Sequence, residues 1–189
     1  MIRASVIGGL ALLAGVSGCV AVPEAAAPER QFDVLGRLSA SHQGRAFASG
    51  FRWQSRDGQT EVWLLTPVGQ ALAHITAGSA GATLVAADQT EYSATSLRSL
   101  TERALGWSLP LDHLQFWIDG RLVPRMVAAG VARDGGGRLT AVEQDGWRVS
   151  LSYEASTVTA HAALPRRIDA EKDGQRIRVV IDQRRPAAP

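Results

Sequence analysis

From Phe32 onward the chain alternates apolar and polar positions with a period of two, in short runs separated by turn residues. Phe32, Val34, Leu38 and Ala40 fall on one face of a first strand, with Asp33, Arg37, Ser39 and Ser41 mostly opposite. Phe47, Phe51 and Trp53 share one side of the next run, opposite Ala48, Gly50 and Arg52, and Asp57-Gly58 then predicts a tight hairpin. Gln59 to Thr66 is apolar on both sides, Val62 and Leu64 against Trp63 and Leu65, which predicts a central strand covered on both faces. Further strands are predicted at Gln70 to Ala77, Gly81 to Ala87 and Glu91 to Ala94, and near 130–134, 138–144 and 166–172. Trp147, Val149, Leu151 and Tyr153 alternate with Arg148, Ser150 and Ser152, and Ile177, Val179 and Ile181 with Arg178 and Asp182. Some eleven short strands, roughly at hairpin spacing, predict an antiparallel meander that curls toward a barrel.

The middle of the chain breaks this rhythm. Ser96 is placed to cap a helix in which Leu97, Leu100, Thr101 and Ala104 recur at three- and four-residue spacing. After Gly106-Trp107-Ser108-Leu109-Pro110, a second helix carries Leu111, Leu114, Trp117 and Ile118 on one stripe before Gly120 ends it. Periodicity fits two roles equally, a lid or plug over the concave face of the sheet and plain core filling.

The first residues read as an address. Arg3 and the apolar run Val6 to Val16 have the form of a signal peptide over 1–18, the run being too short for a permanent span. Val16-Ser17-Gly18-Cys19 has the form of a lipobox and holds the single cysteine of the 189 residues, so Cys19 is expected to be a lipid attachment point. One cysteine also leaves no intramolecular disulfide, and the domain must fold on its core. Residues 19–31, with Pro23 and Pro28 and no alternation, are expected to be a lipidated tether, 32–183 the domain, and 184–189 a polar tail.

Composition narrows function by exclusion. Twenty basic and 18 acidic residues leave a net charge of +2, with the arginines scattered and Lys172 the only lysine, so no nucleic-acid footprint is expected. His42, His74, His113 and His161 are isolated from one another, and no G-x-S-x-G elbow or P-loop is present. Gly135-Gly136-Gly137 reads as a hairpin loop and not as a phosphate cradle, and Asp112 and Asp119 as exposed charges beside the helical stripe. No catalytic residues, cofactor or metal are expected.

The order of local motifs is more specific. Gly36-Arg37-Leu38-Ser39-Ala40, Phe51-Arg52-Trp53, Leu64-Leu65-Thr66-Pro67-Val68-Gly69-Gln70, Tyr92-Ser93-Ala94, Gly106 to Pro110 with Leu114 and Trp117, Gly146-Trp147-Arg148-Val149 and Leu164-Pro165 follow the lipobox in sequence. Together they resemble the LolB family of outer-membrane lipoproteins. The resemblance implies a mainly β fold with inserted α: an unclosed antiparallel barrel enclosing an apolar cavity under a helical lid. It implies a monomeric receptor that accepts triacylated lipoproteins from the periplasmic carrier LolA and inserts them, without ATP, into the inner leaflet of the outer membrane. Val20 follows the cysteine at the position where, in the lipoproteins that the lipobox resembles, Asp tends to retain the protein in the inner membrane, and this implies an outer-membrane anchor facing the periplasm.

Phe51, Trp53, Leu64, Leu114, Trp117, Trp147 and Val149 are the expected acyl-chain cavity residues. Pro67, Val68 and Gly69 align with the family's membrane-insertion loop, where an exposed apolar residue, usually leucine, touches the bilayer. Valine is a departure, and a turn residue packed on the core is the competing reading. Three other functions remain open: a hydrolase, which needs a cavity-facing acid or serine; a structural lipoprotein, which needs a filled concave face; and a carrier of another lipid.

Overall fold

The computed structural model describes residues 31–154 and 164–185. The signal-peptide segment, Cys19 and the tether as far as residue 30 lie outside the described residues, as do His161 and the tail from 186 on. Alternation builds eleven strands: β1 (Phe32–His42), β2 (Arg45–Arg56), β3 (Gln59–Leu65), β4 (Ala71–Gly78), β5 (Gly81–Ala86), β6 (Glu91–Ala94), β7 (Ala128–Arg133), β8 (Leu139–Gln144), β9 (Trp147–Ser152), β10 (Arg167–Lys172) and β11 (Gln175–Arg185). Helices α1 (Leu97–Leu105) and α2 (Leu111–Trp117) lie between β6 and β7.

All eleven strands form one antiparallel sheet in the order β6-β5-β4-β3-β2-β1-β11-β10-β9-β8-β7. Every neighbour is also a sequence neighbour except β1 and β11, which join the two halves through Asp33↔Arg185 to Ser41↔Arg176. The sheet stays unclosed because the edge strands β6 and β7 are not paired, and the chain between them goes into the helices. Four of the hairpins use one device. Gln43-Gly44, Asp57-Gly58, Asp145-Gly146 and Asp173-Gly174 each place two successive residues at φ between +49° and +77°, the turn whose twist matches that of the flanking strands.

The inward positions make a continuous core. Val34, Leu38 and Ala40 of β1, Phe51 and Trp53 of β2, Val62 of β3 and Ile75 of β4 meet Trp147, Val149 and Leu151 of β9 and Ile177, Val179 and Ile181 of β11. Leu100, Leu114, Trp117 and Ile118 from the helical segment are each 0% exposed, so the helices lie against the concave face. The Ser96 hydroxyl caps α1 by accepting from the Ser99 N–H at 3.2 Å, and Gly106 at φ +80° ends it with its N–H on the Glu102 carbonyl.

β1 and β11 slip by one residue at Leu35/Gly36, and there β1 passes unusually close to its neighbours. A Cβ on Gly36 would overlap the Val180 carbonyl oxygen and press within 2.9 Å of the Phe51 ring. Gly36→Ala is therefore expected to cost about 1–3 kcal/mol by overpacking, read as a lower urea midpoint at unchanged m. An unchanged midpoint would mean that the central strands part at no cost.

Three expectations need correction. The outer face of β3 is not covered by a second layer: Trp63 and Leu65 are half-buried, and Trp63 is sheltered by side chains alone. His74 stacks on it at 4.8 Å and the Arg52 guanidinium lies 5.6 Å from its ring centroid, held by two bonds to Asp33 at 3.1 and 2.7 Å. Asp119 is buried, not exposed, and sits 3.9 Å from Arg184. The strand β11 runs on through Arg185, two residues into the expected tail, because Arg184 has carbonyls to bond: Ile118 at 2.7 Å and Pro165 at 3.1 Å. The glycine run does form the β7–β8 loop, with the Asp134 carboxylate accepting from the Gly136 and Arg138 N–H groups.

Candidate functional site

An apolar cavity lies between the helices and the part of the sheet made by β1–β5 and the adjoining β11. Leu38, Phe47, Phe51, Trp53, Val62, Leu64, Ile75, Leu84 and Val179 form the sheet side, and Thr101, Leu105, Leu109, Leu111 and Leu114 the helical side. Its free volume is about 30 Å³, room for a water molecule or two and not for an alkyl chain. The helical segment thus leaves a small apolar space on the concave face, and a long alkyl chain enters it only if that segment moves.

Four of the seven expected cavity residues, Phe51, Trp53, Leu64 and Leu114, line this space. Trp117, Trp147 and Val149 do not: they are buried in the other half of the core, where Trp117 meets Trp147 edge-to-face at 6.4 Å. Alternation identifies all seven as inward, but which inward side chains lie beneath the helical plug depends on where the plug lands. Leu105, Leu109 and Leu111 were legible as helix or turn residues and not as cavity walls for the same reason.

Polar contacts hold the plug along α1 and at the turn between the two helices. Arg98 of α1 donates to Asp145 at 2.8 Å, Arg103 to the Ser93 carbonyl at 2.6 Å and Arg45 to the Leu105 carbonyl at 3.3 Å. The Gln175 amide reaches the Ser108 carbonyl at 2.8 Å, and Thr101 ties α1 to the turn before α2 by accepting from the Leu109 N–H at 2.9 Å. Most of these are exposed or partly buried, where each is worth little singly.

His113 of α2 is 4% exposed, and burial pushes its pKa down despite Asp112 at 3.9 Å and Asp145 at 4.0 Å, with Arg98 and Lys172 opposing the charged form. Burial thus favours the neutral imidazole in the fold. The unfolded chain takes up a proton near pH 6.5 and the native state only at lower pH, so stability falls as pH drops below about 6.5. His113→Gln is expected to flatten this slope below about pH 6.5 in denaturation series; an unaltered slope would place the proton elsewhere.

The Pro67-Val68-Gly69 segment is the β3–β4 turn. The Gly69 N–H donates to the Thr66 carbonyl at 2.9 Å, the Gln70 N–H donates to the Thr66 hydroxyl at 3.0 Å, and Gly69 takes φ +84°. Val68 at the tip is 81% exposed, so it does not pack on the core. No helix among the described residues is long and apolar enough to cross a membrane, and no group of three potential metal ligands occurs among them.

Known proteins share this plan. A family model described as outer membrane lipoprotein LolB matches residues 30–183. The outer-membrane lipoprotein LolB of Thiobacillus denitrificans is 35% identical over 189 residues, spanning 96% of this chain and 97% of that protein. Its counterpart in Cupriavidus metallidurans is 35% identical over 175 residues, spanning 82% and 85%. In fold alone, a DUF1329 family protein from Desulfovibrio piger superposes with a TM-score of 0.50 at 9% identity, over 84% of this chain and 86% of that one. With the family model running from the tether to the last strand, the chain belongs to the LolB family of outer-membrane lipoproteins.

Proposed function

We propose that this protein is a lipoprotein receptor that takes triacylated lipoproteins from a LolA-type periplasmic carrier and places them in the inner leaflet of the outer membrane. The observation that carries the reading is the wholly apolar cavity under the α1–α2 plug. Three acyl chains expose about 45 methylenes, which at about 0.8 kcal/mol each is on the order of 35 kcal/mol of unfavourable hydration. Cargo of that kind passes between membranes only inside a sheltering protein.

The mechanism follows from the contacts. The plug swings away as chains enter, its leucines exchanging contact with the sheet for contact with alkyl chains, so that the apolar area exposed to water stays small. Contacts of this kind are non-directional, and one cavity accepts many cargoes. Handover then runs down a gradient of acyl affinity from carrier to receptor to bilayer, with no nucleotide. A lipid on Cys19 and the tether 19–31 hold the domain beside its target membrane, and Val68 makes the contact at which cargo leaves.

A photo-crosslinking residue at Leu64 is expected to capture the acyl moiety of a bound lipoprotein, and the same residue at Trp147, outside the cavity, to capture none. Capture at both positions or at neither would contradict the cavity assignment.

A further inference from the structure

Exposed large apolar side chains among the described residues fall in two places only. Val68 and Leu72 flank the β3–β4 turn, and Val127 and Val131 flank and occupy the edge strand β7. Scattered single residues of this kind need no explanation, but two pairs at two sites do. The antiparallel order puts the β3–β4 turn and the start of β7 at the same end of the strands.

Val127 is held out by a built support. The buried amide of Gln144 accepts from the Val123 N–H at 3.0 Å and donates to the Val123 carbonyl at 3.0 Å and the Met126 carbonyl at 3.4 Å. Arg125 between them adopts φ +58°, a region an arginine enters only under constraint. The loop is thereby clamped on its inner side, and Val127 emerges 88% exposed, more than any other large apolar residue described.

Charge says what this surface meets. From Gly120 to Arg133 the chain carries Arg121, Arg125 and Arg133 and no carboxylate. Among the described residues none of the three forms an ion pair: Arg121 lies over the Phe116 ring at 5.7 Å, and Arg133 donates to the Gly137 carbonyl. Apolar side chains interleaved with unneutralised guanidinium groups fit an anionic bilayer surface, phosphates on the cations and methyls among the acyl chains. A second strand is a poor match, since Gly130 at φ +56° and the register shifts around it bulge β7 and spoil it as a flat template.

We infer that the segment 121–131 is a second bilayer contact, selective for anionic phospholipid, which together with the β3–β4 turn seats one end of the barrel on the membrane. The inference rests on the proposed role of Val68 and extends it.

The test uses the lipid-anchored protein in vesicles, with an environment-sensitive fluorophore at Val127→Cys, at Val68→Cys or, as a control at the other end of the strands, at Ser79→Cys. Quencher-bearing lipids are expected to quench the probes at 127 and 68 at least twofold more than that at 79. At 127 alone the effect is expected to need phosphatidylglycerol, and to weaken in about 0.5 M salt and in Arg121→Gln/Arg125→Gln. Quenching at 68 but not at 127 overturns this inference and leaves the role of Val68 standing, whereas quenching at neither overturns both. Shielding of 127 without lipid also overturns it, assigning the surface to a second copy if it grows with protein concentration and to the carrier if it appears only on carrier addition.

Discussion

Trp117→Ala is expected to lower the stability of the domain by about 3–5 kcal/mol, the range for deleting a large buried aromatic side chain. Trp117 is 0% exposed and lies edge-to-face with Trp147 at 6.4 Å and with His113 at 5.6 Å. It is the side chain through which α2 is keyed into the β8–β11 half of the core, so its loss leaves a void that no neighbouring strand can fill without breaking register. Its indole N–H has no partner among the described residues, and the substitution therefore orphans no hydrogen-bonding group among them; the loss is packing. Trp117→Phe, which keeps an aromatic edge there, is expected to cost less than half as much. Because Trp117 stands outside the cavity, the folded fraction of the variant is expected to bind acyl chains as the parent does. A change below about 1 kcal/mol in urea denaturation would mean that α2 is not locked into the core.

Val68→Glu is expected to reduce delivery of cargo to liposomes roughly tenfold or more while leaving acceptance from the carrier unchanged. The side chain is 81% exposed at the tip of a turn held by main-chain bonds around Gly69, so neither stability nor the cavity feels the change. A carboxylate at the bilayer boundary gives up hydration that valine never had, and about 1.4 kcal/mol is enough for a tenfold effect. Val68→Leu, which adds one methylene of apolar surface, is expected to deliver at least as well as the parent. Equal delivery by the Glu variant would remove the turn from the insertion step; a matching loss in acceptance would show that it acts on the cavity instead.

The sheet was legible because its signal is local. Alternation at Trp147 to Ser152 and at Ile177 to Asp182, together with turn pairs such as Asp57-Gly58, identifies strands and hairpins with no knowledge of partners. A meander of hairpins needs just one long-range pairing, β1 with β11, to complete it. What stayed hidden depends on tertiary placement. The half of the core beneath the plug cannot be told from the half beyond it by period, which is why Trp117, Trp147 and Val149 read the same as Leu64. Asp119 reads as an exposed charge and Arg184 as part of a polar tail because the partners that make their burial tolerable, each other and carbonyls such as that of Ile118, are far away in sequence. The outer face of β3 read as covered because Trp63 is apolar, and the cover proved to be His74 and Arg52. The clamp of Gln144 on the loop before β7 left no mark in the pattern, since a glutamine at the end of a strand is an ordinary surface residue until a neighbouring backbone is placed against it.

The central claim is that the cavity under the helical plug receives acyl chains from a carrier, and transfer tests it most directly. A radiolabelled triacylated lipoprotein held by LolA would be mixed with this protein in its mature form, with Cys19 replaced so that no anchor of its own competes, and the label followed after separation. The account predicts that the label moves to this protein without ATP, and that Leu64→Glu, which puts a charge in the cavity wall, abolishes the transfer. Label retained by the carrier, with the receptor shown to be folded by its urea transition, would contradict it.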